Sequence, residues 1–274
     1  MCSVSTFSYL LFYALFTVLI NAQCTNPTIR REWRTLDRDE RAAWISAVKC
    51  LAASPNNPDL VATIHQTGMF LPFHRWFVHS VEKAMVEKCG FSGRFPYWNW
   101  TIDAPDFYES SYGVGGWGDP DKDYKVQDGA FARFALKYPS YHPMHHQYTA
   151  QPFAAFAASS PTFAQDLAGT RPATTEDCIP GNKWSPNSPL FFLHHVMIGK
   201  IWSDWQNLNE TSTTAFAGGS VQAFDNTTYL AEYPTGAPPM LNTSSDIYTH
   251  NMFPGVTIGD VLNHTARYLC YVYE

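Results

Sequence analysis

The sequence predicts a mainly α, loop-rich single domain with a few short strands. Three features carry that prediction: three stretches with an apolar period near 3.6 residues, a Pro- and Gly-punctuated background between them, and a tail of short β-prone pieces. The chain has 274 residues, 45% of them hydrophobic and 16% aromatic, with a net charge of -6. A chain of this length buries a substantial core. Only 15% of the residues are charged, and no basic cluster is denser than Arg30, Arg31 and Arg34. The charge distribution therefore offers no footprint for a phosphate backbone, and the aromatic content argues against disorder.

In chain order, the first element is a leader. Tyr9 to Ile20 is an apolar run broken only by Thr17 and followed by Asn21-Ala22-Gln23, which reads as a signal peptide over residues 1–22. The run is short for a membrane span, and no later run reaches the ~18 apolar residues that one needs. The n-region has no Lys or Arg, so a membrane anchor or buried first helix is the alternative. The expectation is a secreted domain over residues 23–274 with no membrane partner once the leader is removed.

Thr35–Ala52 opens with Thr35, Asp37 and Asp39 as candidate caps, then sets Trp44, Ala47, Val48 and Leu51 on one face. In Phe73–Lys88, His74, Val78, Val81 and Met85 follow helical spacing, with Glu82, Lys83 and Glu87 mostly off that face. Pro189–Leu208 aligns Phe191, His195, Ile198, Trp202 and Trp205. Residues 113–120, 138–143 and 169–189 read as turns and loops, and Tyr268–Tyr273 as an edge strand packed on the domain.

Cysteines and sequons agree with export. Without Cys2, which leaves with the leader, Cys24, Cys50, Cys89, Cys178 and Cys270 remain, with no C-x-x-C pair to suggest zinc. Disulfides are the default outside the cell, and an odd count leaves at least one thiol over. Sequons begin at Asn99, Asn209, Asn226, Asn242 and Asn263, each a possible glycan site.

The chemistry lies in the histidines. His74 and His195 each fall on the apolar face of a helix, where a lone histidine is ordinarily a hydrogen-bonded core residue. Two such helices in one exported chain favour a shared metal site, because buried imidazoles cost desolvation unless something binds them. Neutral imidazole suits copper, zinc or iron.

The stretch from His65 through Gly68-Met69-Phe70-Leu71-Pro72-Phe73-His74-Arg75 to Glu82 resembles the first copper signature of the tyrosinases and catechol oxidases. Cys89-Gly90 and Phe95-Pro96-Tyr97-Trp98-Asn99-Trp100 resemble the segment that follows in fungal-type members, and residues 185–206 resemble the second copper signature. The resemblance implies a type 3 copper protein: two copper ions on an antiparallel helical bundle, with dioxygen and small phenols or o-diphenols as partners and o-quinones as products. It places His65 and His74 as two ligands of the first copper, and His195 as one ligand of the second. His194 becomes a neighbouring pocket residue, and Arg75 and Glu82 hold their helix in place.

The chain also departs from that pattern. No histidine precedes His65, and none lies between His146 and His194, where the family carries further ligands. Two of the four helices are shortened or absent on this reading, with apparent deletions at residues 60–64 and 165–167. Thr63 stands where some members have a thioether-forming Cys, and Gly199 where the family has Asp. The i, i+4 spacing of His142 and His146 would put both on one helical face, but Pro143 and the surrounding turn residues favour a loop. With one or two ligands per ion, the alternative to an oxidase is a degenerate glycoprotein holding little or no copper.

Overall fold

The computed structural model describes residues 24–53, 67–99, 113–115, 118–122, 125–136, 142–144, 186, 188–220, 240–249, 253–266 and 268–274. The expected leader, His65, His146, Cys178 and both apparent deletions lie outside them.

Helix α1 (Arg38–Ala53) starts three residues later than the periodicity suggests, because Thr35 closes a 3-10 turn over Trp33–Thr35. Asp37 makes the cap: its carboxylate accepts from the Glu40 N–H, and the Glu40 carboxylate accepts from the Asp37 N–H, both at 2.8 Å. This reciprocal box satisfies two otherwise orphaned donors. Trp44, Ala47 and Val48 are buried as the spacing requires.

Helix α2 (Phe70–Cys89) begins three residues earlier than expected. Pro72 falls in its first turn, where no intrahelical N–H is needed. It stops at Gly90, which takes the left-handed conformation (φ 65°), while the Gly90 and Phe91 N–H groups close onto the Val86 and Met85 carbonyls. A Cys50–Cys89 disulfide ties the ends of α1 and α2 together.

Helix α3 (Pro189–Gln206) carries Pro189 in its first turn. Phe191, His195 and Trp202 are buried as expected, but Trp205 is 45% exposed. Trp205 sits about 60° around the helix from Trp202, at the edge of the buried stripe. Helices α2 and α3 run antiparallel: His74 meets His195, and three residues further along α2, Phe77 meets Phe191, four residues back along α3.

The ends of the chain are clasped. Strand β1 (Thr28–Arg30) pairs in parallel with β8 (Tyr271–Tyr273), and a Cys24–Cys270 disulfide lies beside the pair. From β1, the Arg30 guanidinium reaches the Glu82 carboxylate at 2.6 Å and lies 3.6 Å over the Tyr271 ring. Glu82 is therefore buried rather than off the face, a correction to the sequence reading; only a cation from a distant strand makes that burial affordable. Burial works against both charges, but the attraction of each for the other outweighs it. The Arg30 pKa is raised, and the Glu82 pKa is lowered with help from the Phe95 N–H.

Three antiparallel two-stranded pieces complete the strands: β2 (Gly118–Asp119) with β3 (Lys125–Val126), β4 (Ala135–Leu136) with β5 (His142–Pro143), and β6 (Asp246–Ile247) with β7 (Val256–Thr257). His142 thus has extended backbone paired with Leu136, so it does not share a helical face with His146. Helices α4 (Glu210–Thr213) and α5 (Ile258–Leu262) are short, and α5 carries its own Thr257–Asp260 capping box. Around Trp44 the core is aromatic: Trp33, Phe95 and Phe131 approach it edge-on at 5.3–6.3 Å. Among the described residues, no helix is long and apolar enough to cross a membrane.

Candidate functional site

Helix α2 presents His74 and helix α3 presents His195 to one another across their interface. The two rings stack with centroids 4.1 Å apart and planes 10° from parallel. Both residues are buried, His74 at 1% exposure and His195 at 6%. Phe70, Phe73 and Phe191 ring the pair, with Phe191 4.1 Å from the His195 ring and Phe70 4.6 Å from the His74 ring. The walls around the pair are therefore mostly apolar.

The His74 tautomer follows from its partner. Nδ1 lies 2.8 Å from the Phe70 carbonyl oxygen, which can only accept, so Nδ1 carries the proton and Nε2 the lone pair. An imidazole lone pair lies in the ring plane. With centroids 4.1 Å apart and planes 10° from parallel, the two rings do not share a plane in which both lone pairs could meet one metal at ~2.0 Å. In this arrangement the pair does not hold one ion in common.

Several contacts far apart in sequence fix the pair. Arg75, next to His74, is buried; its Nη1 donates to the Val261 and Leu262 carbonyls, its Nη2 to Gln206 Oε1 at 2.9 Å, and its guanidinium covers the Trp202 ring at 3.6 Å. It pins the start of α2 to the end of α3, the positioning role expected of it. Before α2, the backbone crosses the 218–219 segment at Gly68, whose N–H donates to the Gly219 carbonyl at 3.0 Å. A Cβ on Gly68 would lie 2.7 Å from the Gly218 Cα, so the crossing requires glycine.

Of the proposed ligands, the structure brings His74 and His195 together, while His65 lies outside the described residues. His194 is half-buried with its ring perpendicular to His195 at 5.2 Å. Among the described residues, no group of three or more His, Cys, Asp or Glu side chains is placed to hold a metal ion.

Sequence reasoning assigned no role to His264, which the structure places beside α3. Its Nδ1 donates to the Tyr271 carbonyl at 2.8 Å, leaving Nε2 to accept from the Ser203 hydroxyl at 2.6 Å. Burial pushes the His264 pKa down to about 4 despite the favourable carbonyl. The arrangement has the polarity of a base and its nucleophile, but Ser203 is only 2% exposed. The bond ties α3 to the C-terminal segment. Nothing in the local sequence marks this tie, because its partners lie 61 residues apart.

Gly199 is the other feature that only the fold explains. A Cβ there would lie 2.6 Å from the Tyr273 hydroxyl oxygen, so that oxygen occupies the space of the missing side chain.

Comparison with known proteins bears on the family and the fold. The profile of the common central domain of tyrosinase matches residues 37–178 and 173–208. The tyrosinase-like protein phomQ1' of Diaporthe leptostromiformis is 25% identical over 313 residues, covering 92% of this chain and 81% of that protein. The N-acetyl-6-hydroxytryptophan oxidase ivoB of Emericella nidulans is 28% identical over 351 residues, covering 92% of this chain and 94% of that one. Both alignments are longer than the 274 residues of the chain, so each opens long gaps within it. A polyphenol oxidase mutant from Thermothelomyces thermophila superposes with a TM-score of 0.67 at 23% identity, covering 97% of this chain and 93% of that one. At that identity, the likeness concerns the fold.

Proposed function

Because the chain belongs to the tyrosinase family, we propose that it is an exported protein built on the frame of a copper-dependent phenol oxidase, and that in this sequence the two-copper centre does not assemble. When bound in such a frame, paired copper supplies the oxidation of phenols and o-diphenols to o-quinones by dioxygen.

The donor set decides the reading. A coupled pair of ions needs several imidazoles each, whereas His74 and His195 supply one apiece, and His65 is the only further match. Stacked in this way the two imidazoles do not share one ion, so the residues present fall short of the coordination a coupled pair needs. What the chain's own residues do is clear without the metal: Phe70, Phe73 and Phe191 keep water from the imidazoles, the Phe70 carbonyl sets the His74 tautomer, and Arg75 holds the two helices in register. Such a protein binds copper weakly and acts, if at all, by binding rather than by oxidation.

A second reading, the complete oxidase, is favoured by one observation: alignments to phomQ1' and ivoB open long gaps inside this chain. Coding segments absent from the sequence as written would restore the missing histidines. One experiment separates the two. The protein is purified, loaded with copper, and assayed for copper per chain and for catechol oxidation, while the transcript is sequenced across residues 60–64 and 165–167. Fewer than two coppers, no turnover and an uninterrupted transcript support the degenerate protein. Two coppers per chain with turnover, or His-bearing inserts at either point, overturn it.

A further inference from the structure

We infer that Asn209, Asn242 and Asn263 carry N-linked glycans that together cover the face formed by α5 and the C-terminal end of α3, and that the sequon at Asn99 stays bare. The inference rests on where each asparagine nitrogen can go. A glycan is joined through Nδ2, and a modified chain folds only if that nitrogen reaches solvent, whereas Oδ1 remains a free acceptor after modification.

At all three sites the fold uses the oxygen. Asn209 caps α4: its Oδ1 accepts from the Ser212 N–H at 2.9 Å and from the Thr211 and Ser212 hydroxyls at 2.6 and 2.9 Å. Asn242 Oδ1 accepts from the Ser244 N–H at 2.8 Å. Asn263 Oδ1 accepts from the Thr265 N–H and hydroxyl at 2.9 and 2.8 Å. All three residues are exposed. Anchoring each oxygen to the chain that follows turns the nitrogen outward, so the caps and turns survive glycosylation intact.

Asn99 differs. It is half-buried between buried Trp98 and the N-terminal turn; its N–H donates to Glu32 Oε1 at 3.3 Å, and its carbonyl accepts from Arg34 Nη2 at 2.7 Å. Half-burial, where the other three asparagines are exposed, is what sets Asn99 apart as an acceptor.

The three acceptors share one face. The Thr243 carbonyl accepts from the Gly259 N–H at 2.8 Å, which sets the Asn242 loop at the start of α5, and Asn263 directly follows its end. Gln206, the last residue of α3 and three before Asn209, donates to the Leu262 carbonyl at 2.9 Å. Asn263 lines a polar cavity of about 340 Å³ together with Ser203, Asn207, Thr213, His264 and Tyr273, and Asn209 lies in the chain between Asn207 and Thr213. Glycans at these two positions roof this cavity and keep protein partners off the face.

The test does not depend on the native leader. Residues 24–274 are placed behind a yeast secretion leader, and the secreted protein is treated with peptide N-glycosidase in 18O-water, which converts each occupied asparagine to labelled aspartate. Peptide mapping is expected to find label at positions 209, 242 and 263 in most molecules and none at 99. Thr211→Val, which destroys one sequon but keeps the Asn209 cap, is expected to raise gel mobility by one glycan step; Thr101→Val is expected to change nothing. Label at position 99, or a secreted protein mostly bare at any of the other three, overturns the inference.

Discussion

Replacing Gly199 by Ala sets two known effects against each other. Alanine in a helix interior is worth about 1 kcal/mol over glycine. The new methyl would sit 2.6 Å from the Tyr273 hydroxyl oxygen, inside any normal contact distance, and the Tyr273 ring has little freedom between the Tyr97, His264 and Tyr271 rings at 5.4–6.0 Å. Overpacking of this kind costs about 1–3 kcal/mol. The single substitution should therefore be neutral to destabilising by about 2 kcal/mol. Removing the oxygen with Tyr273→Phe leaves the Tyr273 Cζ, at 3.8 Å, as the next atom in reach, an ordinary contact. In that background Gly199→Ala should stabilise by about 1 kcal/mol. The difference between backgrounds, about 1–3 kcal/mol, is the coupling between the two positions. Guanidinium unfolding followed by the fluorescence of the nine tryptophans reads all four corners of the cycle. An equal gain from alanine in both backgrounds would falsify the claim that the tyrosine oxygen fills the place of a side chain at 199. Gly199→Asp, the residue the family carries there, should be worse than alanine in the native background.

Two further outcomes follow from the buried charges. Arg30→Met leaves the Glu82 carboxylate buried beside Phe95 without its cation and should cost about 3–5 kcal/mol of unfolding free energy, more than Glu82→Gln in the same denaturation assay. Burial holds both His264 and His79 down to about 4, against 6.5 for the ordinary side chain. As pH falls, the unfolded chain binds protons before the folded one, so stability is complete above about 6.5 and declines toward about 4. Each histidine contributes roughly 3 kcal/mol to that decline. His264→Asn should reduce the slope of unfolding free energy between pH 6 and 4.5 by about one proton, and an unchanged slope removes His264 as its source.

The apolar periodicity located the three long helices because each buries one stripe, and helix spacing is a property of the backbone rather than of the fold. It missed their ends by up to three residues, since caps and first turns depend on local hydrogen bonds: Asp37 with Glu40 at α1, and Pro72 tolerated in the first turn of α2. It mistook Glu82 for a residue off the buried face and Trp205 for a buried one. The first error could not be avoided from one sequence, because the partner, Arg30, lies 52 residues away on β1. Of the candidate ligands, His74 and His195 were legible as inward-facing residues of two helices; that their rings stack was not.

By itself, the sequence determined the helical class, the aromatic core, the family signatures and the shortage of histidines, all of which are matters of residue type and short-range spacing. Only the tertiary structure decided which distant groups meet: Cys24 with Cys270, Arg30 with Glu82, Ser203 with His264, and the Tyr273 hydroxyl with the bare backbone at Gly199. Those pairings depend on how the helices cross and how the two chain ends come together, and the free energy of such contacts is set by burial and mutual geometry that no local window of sequence contains.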